Sequence, residues 1–259
     1  MGVVNVTPDS FSDGGQFLDH RRAVAQAQRL VETGAAIVDI GAESTRPGAA
    51  PVSEDEELRR LLPVLEDLSA LAVPISVDTR RAGVMRAALA GGASMINDID
   101  ALTAPGALAV VAASDCAVCL MHKQGVPATM QHAPAYRDVV ADVKAFLAER
   151  IAAARHAGIA RERIVADVGF GFGKTEVHNL TLLRRLAEFA ELGVPLLAGL
   201  SRKSTLGRIT GRSVDGRLAA GLAAALLAVQ AGAKILRVHD LQETRDALAV
   251  WDAVKNEPS

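Results

Sequence analysis

Residues 2–15, which read GVVNVTPDSFSDGG, are the stretch that first indicates the fold. A β-branched run ends abruptly in Pro, Asp, Ser and two glycines, a pattern typical of a strand that runs into a loop. Two of its side chains are unusual for a core and suitable for a ligand. Asn5 offers an oxygen to a metal or a phosphate, and Phe11 can cover an aromatic ligand. The alternative is that Asn5 caps the turn and Phe11 packs locally.

Strand-like runs alternate with helical patterns along all 259 residues, and no linker rich in Pro, Gly and Ser interrupts this alternation. Strands are predicted at residues 2–6, 37–40, 75–77, 95–99, 117–121, 164–168, 196–200 and 235–238. Helices are predicted at residues 20–33, 54–71, 80–90, 106–112, 136–157, 180–192, 215–231 and 241–254. Eight β–α units in a chain of this length predict an α/β fold with one domain, a (β/α)8 TIM barrel over residues 1–259. A doubly wound open sheet is the alternative.

Composition excludes several classes of partner and location. The chain has 28 basic and 30 acidic residues and a net charge of −2, which argues against nucleic-acid and anionic-membrane partners. The longest apolar run, residues 218–229, is too short to span a bilayer, and the first residues lack a basic signal region. We therefore expect a cytoplasmic protein. Cys116 and Cys119 point to opposite faces of a predicted strand, so they are expected to be buried structural thiols rather than a metal site.

The most glycine-rich segment, residues 169–175, reads GFGFGKT. It ends like a phosphate-binding P-loop, but Val168 stands where that motif requires its first glycine. We interpret it as a flexible loop. A solvated loop charge is an equal alternative for Lys174, so this residue is left out of the predicted site. Because aromatic residues are scarce in this chain, those in the two loops are expected to stack on a flat ligand: Phe11, Phe17, Phe170 and Phe172.

Polar residues follow nearly every predicted strand, where a barrel carries its function. The set comprises Asn5, Glu43, Asp78, Asn97, Asp98, His122, Asp167, Ser201, Lys203, Arg237 and His239. Such residues are costly to bury unpaired, so a ring of them predicts an active site. A role as a cap or a solvated charge is the alternative for three members of this set and for five residues beside them: Glu43, Asp98 and Lys203, and Thr79, Arg80, Arg81, Arg202 and Asp240.

The side chains of these strand-end residues indicate two features of the ligand. Asp78, Asn97 and Asp167 offer acceptors to an N–H-rich edge, as in an amino-oxo heterocycle. Cationic side chains are the usual ligands of an anion such as a phosphate, and the chain offers Arg46, Arg202, Lys203, Arg237 and His239.

These motifs, in this order and over essentially the whole chain, resemble the dihydropteroate synthases, the folate-pathway enzymes that sulfonamides inhibit. After residues 5–15 come GAESTRPG at 41–48, SVDT at 76–79, ND at 97–98, GFGFGK at 169–174, SRKS at 201–204 and RVHD at 237–240. Val168 stands where the family commonly has Pro. The chain also starts inside its first strand, so we expect the segment that usually precedes that strand to be absent.

The resemblance implies a reaction and a set of roles. A dihydropterin-methyl group is transferred from its diphosphate to p-aminobenzoate, with C–O cleavage ahead of attack, giving dihydropteroate and pyrophosphate. Asp78, Asn97, Asp167 and Lys203 would bind the pterin. The diphosphate would be held by Thr45, Arg46, Arg237, His239 and a Mg²⁺ ion on Asn5. The p-aminobenzoate subsite, where sulfonamides compete, would comprise Phe11, Arg46, Pro47, Phe172, Ser201 and Lys203.

Two other functions remain open at this point. One is a related pterin-binding barrel that moves a methyl group from methyltetrahydrofolate to a corrinoid; Arg237, His239 and the Phe11 loop count against it. The other is a catalytically inactive pterin-binding relative, in which losses would be expected among Asn5, Asp78, Lys203 or His239. None of these is lost.

The helix predicted at residues 215–231 indicates an oligomer. No charged or polar side chain lies between Leu218 and Val229, so this helix has no polar face for water. The alternative is that an Ala-rich surface is simply tolerated. We expect a homodimer in which this helix packs against its counterpart, and we expect Glu at Ala224 or Leu227 to disrupt it.

Overall fold

The computed structural model describes residues 1–6, 16–43, 52–126 and 129–255, and of residues 16–19 only the backbone. The strands are β1 (Gly2–Asn5), β2 (Val38–Gly41), β3 (Ile75–Asp78), β4 (Met95–Asp98), β5 (Ala117–Met121), β6 (Ile164–Asp167), β7 (Leu196–Ala198) and β8 (Ile235–Leu236). Each begins within one residue of its predicted position. Several end earlier, because their last predicted residues already belong to the functional loops.

Helices connect the strands throughout the described ranges. They are α1 (Gln16–Glu32), α2 (Glu54–Asp67), α3 (Ala82–Ala90), α4 (Ala107–Ala112), α5 (Val139–His156), α6 (Glu176–Arg184), α7 (Ser204–Thr210), α8 (Leu218–Gln230) and α9 (Leu241–Lys255). Short 3₁₀ turns lie at Arg161–Arg163, Leu186–Leu192 and Val214–Gly216.

Two helix predictions need correction. The helix expected at residues 180–192 begins earlier, because Thr175 and His178 form a capping box, and it ends before a 3₁₀ turn. The second correction is α7, which the sequence did not indicate because its seven residues are too few for a clear helical period.

All eight strands form one parallel sheet in the order β1 to β8. The two outer strands of this sheet also approach each other. Gly2 of β1 and Val238, two residues beyond β8, form a parallel bridge. The amide of Val3 donates to the carbonyl of Val238 at 3.2 Å, and the amide of Val238 donates to the carbonyl of Met1 at 3.0 Å. The sheet is therefore curled, and its first strand contacts the segment that follows its last strand.

The strands alternate between two apolar layers. Met1, Met95, Cys119, Val165 and Leu197 pack together on the inner face of the curled sheet. The larger core lies between the sheet and the surrounding helices, where Val118 and Leu120 of β5 face outward. Cys116 belongs to this outer core, and both cysteines are free and buried. The prediction that they serve as structural thiols on opposite faces is confirmed.

Helix α8 is apolar from Leu218 to Val229, as predicted, but its faces are not equivalent. It starts at Leu218 instead of Asp215, which lies in the preceding 3₁₀ turn, while Gly232 follows its C-cap with φ +101°. Ala224 is buried against the sheet, whereas Leu227 is 52% exposed. Of the two positions chosen to disrupt the dimer, Ala224 therefore belongs to the core and only Leu227 is exposed.

Among the described helices, none is both long enough and apolar enough to span a membrane.

Candidate active site

The strand register brings the predicted polar residues side by side at the carboxyl edge of the sheet. Asn5 of β1 is paired with Gly41 of β2, Gly41 with Asp78 of β3, and Asp78 with Asn97 of β4. The same edge carries Asp167 at the last position of β6. Parallel strands that start in register end together, so residues from different parts of the chain converge here.

A buried ion cluster lies at the centre of this edge. Arg237, the residue after β8, contacts Asp39 of β2 with Nε and Oδ2 2.6 Å apart, and its Nη2 lies 3.1 Å from Oδ2 of Asp78. Asn97 donates its side-chain amide to the same Oδ2 of Asp39 at 3.3 Å. The guanidinium therefore bridges two carboxylates, and its plane is fixed by contacts on both sides.

Asp39 was missed by the sequence reasoning, although one signal was available. It is a charged residue inside the β-branched strand Val38–Gly41, and its side chain is completely buried. A carboxylate in such a place requires a partner, because an unpaired buried charge is very costly.

Electrostatics make Asp78 an unusual acid. Burial raises the pKa of Asp78 to about 7; Arg237 opposes this shift, and the neighbouring Asp39, Glu57 and Asp98 add to it. Burial disfavours the charge of Arg237, but Asp39 and Asp78 outweigh it and raise the pKa of the guanidinium. Oδ1 of Asp78 is buried without a hydrogen-bond partner among the described residues. This oxygen is therefore a ready acceptor for a ligand N–H group.

Asp167 lies at the end of β6, and its side chain is buried. Its Oδ1 accepts a hydrogen bond from the amide of Gly169 at 2.7 Å. Burial raises the pKa of Asp167, against the effect of the Gly169 amide and of Lys203, Lys174 and Arg237. The carboxylate is thus held in one orientation by the loop that follows its own strand.

The two phenylalanines of that loop have different environments. Phe172 is partly buried, and Nζ of Lys203 lies 4.1 Å from the centroid of its ring, a cation–π contact between the β6 and β7 loops. Phe170 is only 2% exposed and belongs to the outer core. The expectation that Phe170 stacks on a ligand is wrong, whereas Phe172 has the position that the prediction requires.

The segments after β7 and β8 are linked by hydrogen bonds. The hydroxyl of Ser201 accepts from the backbone amide of His239 at 3.2 Å and lies 3.1 Å from Nδ1 of the same residue. Arg202 forms an ion pair with Asp240. This pairing occupies Arg202, so its expected use for an anion is not supported, and the two loops are joined at their bases.

Glu43, after β2, belongs to a second ion cluster at the edge of the site. It contacts Arg80 at 3.2 Å and Arg81 at 3.0 Å, and Arg81 also pairs with the buried Glu57. Burial raises the pKa of Glu43, but the hydrogen bonds from the two arginines outweigh burial, so the net pKa is lowered. Arg81 also donates to the carbonyl of Val52. Glu43 also accepts from the amide of Val52 at 3.3 Å, so it caps its own loop as one interpretation proposed. Arg80 and Arg81 belong to a partly buried network instead of being solvated charges.

Asp98 is a turn cap, as one interpretation proposed, but it does not begin a helix. Its two carboxylate oxygens accept from the amides of Asp100 at 2.7 Å and Leu102 at 2.8 Å. Ala101 and Leu102 in this turn have positive φ angles. Burial raises the pKa of Asp98 to about 7 against the effect of these two amides. Asp98 thus holds the loop beyond Asn97 and leaves Asn97 as the polar residue of β4 in the site.

Lys174, for which a solvated loop charge was one interpretation from sequence, is instead 1% exposed. Its Nζ lies 2.9 Å from the carbonyl oxygen of Gly169, 3.0 Å from that of Phe172 and 3.2 Å from that of His122, and 3.0 Å from Nδ1 of His122. No sequence signal separates such a lysine from an exposed one, because its acceptors are backbone groups of other segments.

The loop around Lys174 is not the flexible segment that its glycines suggested. Gly171 donates to Oδ1 of Asn179 at 2.7 Å, and the carbonyl of Gly173 accepts from the hydroxyl of Tyr136 at 2.8 Å. Gly169 has φ +68°, and a Cβ at this position would lie 1.9 Å from the carbonyl oxygen of His122. The glycine is required for this close approach of two strand ends.

Four further predicted site residues lie outside the described residues: Phe11, Thr45, Arg46 and Pro47. Only the backbone of Phe17 is described, so its expected stacking stays a prediction.

Asn5 offers one protein oxygen for a metal. Its side chain is half-buried at the end of β1, and no group of three His, Cys, Asp or Glu residues in the described ranges could hold an ion. Mg²⁺ is commonly bound through one or two protein oxygens together with substrate phosphates and water. An amide oxygen beside an anion site fits Mg²⁺ in that mode, and it does not fit a metal held by protein ligands alone.

The fold and this site define an α/β enzyme whose active site lies at the carboxyl ends of parallel strands. Residues 1–239 match the model of a family described as pterin binding enzyme. The chain is 51% identical over 257 residues to the dihydropteroate synthase of Haemophilus influenzae, covering 99% of this chain and 94% of the relative. It belongs to the dihydropteroate synthase family of pterin-binding enzymes, and it is a transferase.

Solved structures of the same family are similar over the whole chain. The Xanthomonas albilineans dihydropteroate synthase with 4-aminobenzoic acid superposes with a TM-score of 0.94 at 55% identity, covering 100% of this chain and 93% of that chain. The same enzyme in complex with 7,8-dihydropteroate gives a TM-score of 0.91 at 53% identity, covering 100% of this chain and 94% of that chain.

Proposed function

We propose that this enzyme condenses 6-hydroxymethyl-7,8-dihydropterin diphosphate with p-aminobenzoate to give 7,8-dihydropteroate and pyrophosphate. The observation that carries the proposal is the arrangement at the strand ends. Buried acceptors on β3, β4 and β6 stand beside the guanidinium of Arg237, and Oδ1 of Asp78 lacks a partner among the described residues. A ligand with several N–H groups at one end and an anionic group at the other fits this distribution of charge.

Three residues are assigned to the N–H edge of the pterin. Asp78 and Asp167 would accept from its amino and ring N–H groups, and Asn97 would contribute its amide between them. Lys203 would donate to the oxo and ring-nitrogen side. Because both carboxylates are buried and Asp167 is oriented by Gly169, they would recognise the ring with little reorganisation.

Arg237 and His239 are assigned to the diphosphate, together with Thr45 and Arg46. The guanidinium is already oriented by Asp39 and Asp78, so it would present its remaining donors in a fixed direction. Asn5 would hold Mg²⁺ through its amide oxygen. When bound, this ion would neutralise charge on the leaving diphosphate.

The proposed chemistry is a substitution in which bond breaking leads. The C–O bond between the pterin methylene and the diphosphate breaks, and its electron pair leaves with pyrophosphate. The amine nitrogen of p-aminobenzoate then forms the new C–N bond and loses a proton. Phe172, Ser201 and Lys203, with Phe11, Arg46 and Pro47, would form the p-aminobenzoate subsite, and sulfonamides would compete there.

The proposal also covers the closure of the barrel, the assembly of the protein and its location. The bridge between Gly2 and Val238 supports a closed (β/α)8 TIM barrel. The apolar groove lined by Leu180, Leu183 and Leu227 supports a homodimer that packs through α6 and α8. A cytoplasmic location remains an expectation from the sequence.

The experiment that tests this function is pyrophosphate release with the pterin diphosphate as substrate. Release should require p-aminobenzoate for sustained turnover, and it should fall when Mg²⁺ is removed. Asp78→Asn should abolish most of the activity, whereas Lys234→Met, at an exposed lysine, should retain it. Turnover that is independent of p-aminobenzoate, or an unaffected Asp78→Asn variant, would contradict the proposal.

A further inference from the structure

The buried ammonium group of Lys174 has no assigned part in the reaction, although it lies directly behind the candidate pterin site. Its Nζ contacts one carbonyl after β5, that of His122, and two in the β6 loop, those of Gly169 and Phe172. Nδ1 of His122 is a fourth acceptor. An ammonium group has three donors, so its hydrogen bonds are shared among four acceptors that converge on one point.

Two of these contacts lead directly to residues of the site. Gly169, whose carbonyl accepts from Lys174, donates its own amide to Oδ1 of Asp167. Phe172, whose carbonyl also accepts from Lys174, carries the ring over which Nζ of Lys203 lies at 4.1 Å. One buried cation therefore fixes the peptide that orients Asp167 and the backbone that places Phe172.

We infer that Lys174 is a positioning residue for ligand binding, because it holds Gly169 and Phe172 in the arrangement that presents Asp167 and Lys203 to the pterin. This inference rests on the function proposed above, and it assigns a role in that site to a residue whose Nζ contacts groups of the protein.

The electrostatic surroundings are consistent with such a role. Burial lowers the pKa of Lys174 to about 7, the negative charge of Asp167 opposes this shift, and Lys203 adds to it. Burial, followed by the nearby charge of Lys174, lowers the pKa of His122 to about 3. His122 is therefore neutral at physiological pH, and its Nδ1 accepts from Lys174.

The test compares Lys174→Met with a matched structural variant. Arg163→Met also removes a cation that donates to two backbone carbonyls, those of Cys116 and Val111, but these lie near the amino end of β5, away from the site. Both variants are expected to lower the melting temperature. The probe is 6-hydroxymethylpterin, whose fluorescence reports binding to the full chain well below either melting temperature.

Lys174→Met should raise the Kd of 6-hydroxymethylpterin about tenfold or more, the range expected when a hydrogen bond to a charged group is lost. Arg163→Met should leave this Kd within about twofold of wild type, a change of less than ~0.5 kcal/mol. Hydrogen exchange of residues 169–172 should accelerate in Lys174→Met and stay unchanged in Arg163→Met. A purely structural role would lower stability in both variants without this difference.

Each other outcome overturns the inference. A wild-type Kd in folded Lys174→Met, or an equal loss of affinity in Arg163→Met, would assign Lys174 to stability alone. If Lys174→Met does not fold, Lys174→Gln, which keeps an amide donor, replaces it in the comparison, and failure of both to fold would likewise assign Lys174 to stability alone. If the wild-type protein does not bind 6-hydroxymethylpterin, the proposed function fails together with the inference. Binding by wild type and Lys174→Met alike overturns the inference alone.

Discussion

Arg237 and Asp39 are 198 positions apart in the sequence, yet Nε of the arginine lies 2.6 Å from Oδ2 of the aspartate. The contact joins β8 to β2 across the inner face of the curled sheet, and Asp39 is completely buried there. It places a fixed positive charge at the centre of the candidate site. The same guanidinium contacts Asp78, one of the residues proposed to bind the pterin. The Arg237–Asp39 pair therefore also influences the charge of Asp78.

Removal of Asp39 should therefore destabilise the protein strongly. In Asp39→Ala, Arg237 keeps Asp78 as its one ion-pair partner among the described residues, and breaking a buried ion pair costs about 3–5 kcal/mol in free energy of unfolding. Urea denaturation measures this change. The control is Asp115→Ala, whose fully exposed side chain lies 3.8 Å from Arg163 and should contribute little to stability, because water screens such a pair. If Asp39→Ala and Asp115→Ala have the same free energy of unfolding, the buried pair does not stabilise the fold.

Asp167→Asn should weaken pterin binding and leave the fold unchanged. The new side chain can still accept from Gly169 with its oxygen, but its NH₂ group then faces the N–H groups of the ligand. The expected loss in binding free energy is about 2–4 kcal/mol, the cost of opposed polar groups in a buried site. Calorimetry with the pterin gives the affinity, and Asp252→Asn on the exposed side of α9 is the control. Normal affinity with lost turnover would instead assign Asp167 as a general base.

The two phenylalanines of the β6 loop should respond in opposite ways. Phe170→Ala empties a core position and should lower the free energy of unfolding by about 3–5 kcal/mol. Phe172→Ala should have a small effect on unfolding, because its ring is only partly buried, but should raise the KM for p-aminobenzoate. Urea denaturation and steady-state kinetics of the same two variants test this. The prediction is wrong if Phe172→Ala leaves that KM unchanged.

Leu227→Glu should produce monomers in sedimentation velocity. Leu227 is 52% exposed and lines a mainly apolar groove with Leu180 and Leu183, so a carboxylate there would place a charge in the apolar contact of the proposed dimer. Leu62→Glu, at an exposed position of α2, should leave the assembly intact. Ala224→Glu is unsuitable for this experiment, because Ala224 faces the core and its replacement should unfold the chain. A wild-type protein that sediments as a monomer at micromolar concentration would exclude the homodimer.

Asp98 should make stability decrease as the pH rises through a defined window. Its pKa is raised from 3.8 to about 7 by burial, so between these values the folded state binds more protons than the unfolded state. The free energy of unfolding therefore falls as the pH rises through this window and is flat, for this group, outside it. Asp98→Asn lacks this contribution, so its stability relative to wild type should increase from about pH 4 to pH 7. Urea titrations at each pH test the slope, and a constant difference would contradict it.

The order of strands and the location of the site could be predicted from sequence, because both depend on local patterns. A β-branched run followed by polar residues identifies a strand and its end wherever it occurs. In a parallel sheet those ends share one edge, so Asn5, Asp78, Asn97 and Asp167 could be grouped before any coordinates were known. The short helix α7 and the break after α6 were missed because a few residues cannot establish a period.

The sequence by itself determined which chemical groups line the carboxyl edge of the sheet, and the tertiary structure decided how they are paired. Asp39, Lys174 and Phe170 illustrate the difference. Whether an aspartate inside a strand is paired, a loop lysine is buried or a loop phenylalanine joins the core depends on segments far away in the chain. Burial removes water as a partner, so the groups that these distant segments supply fix the charge state and orientation of each side chain.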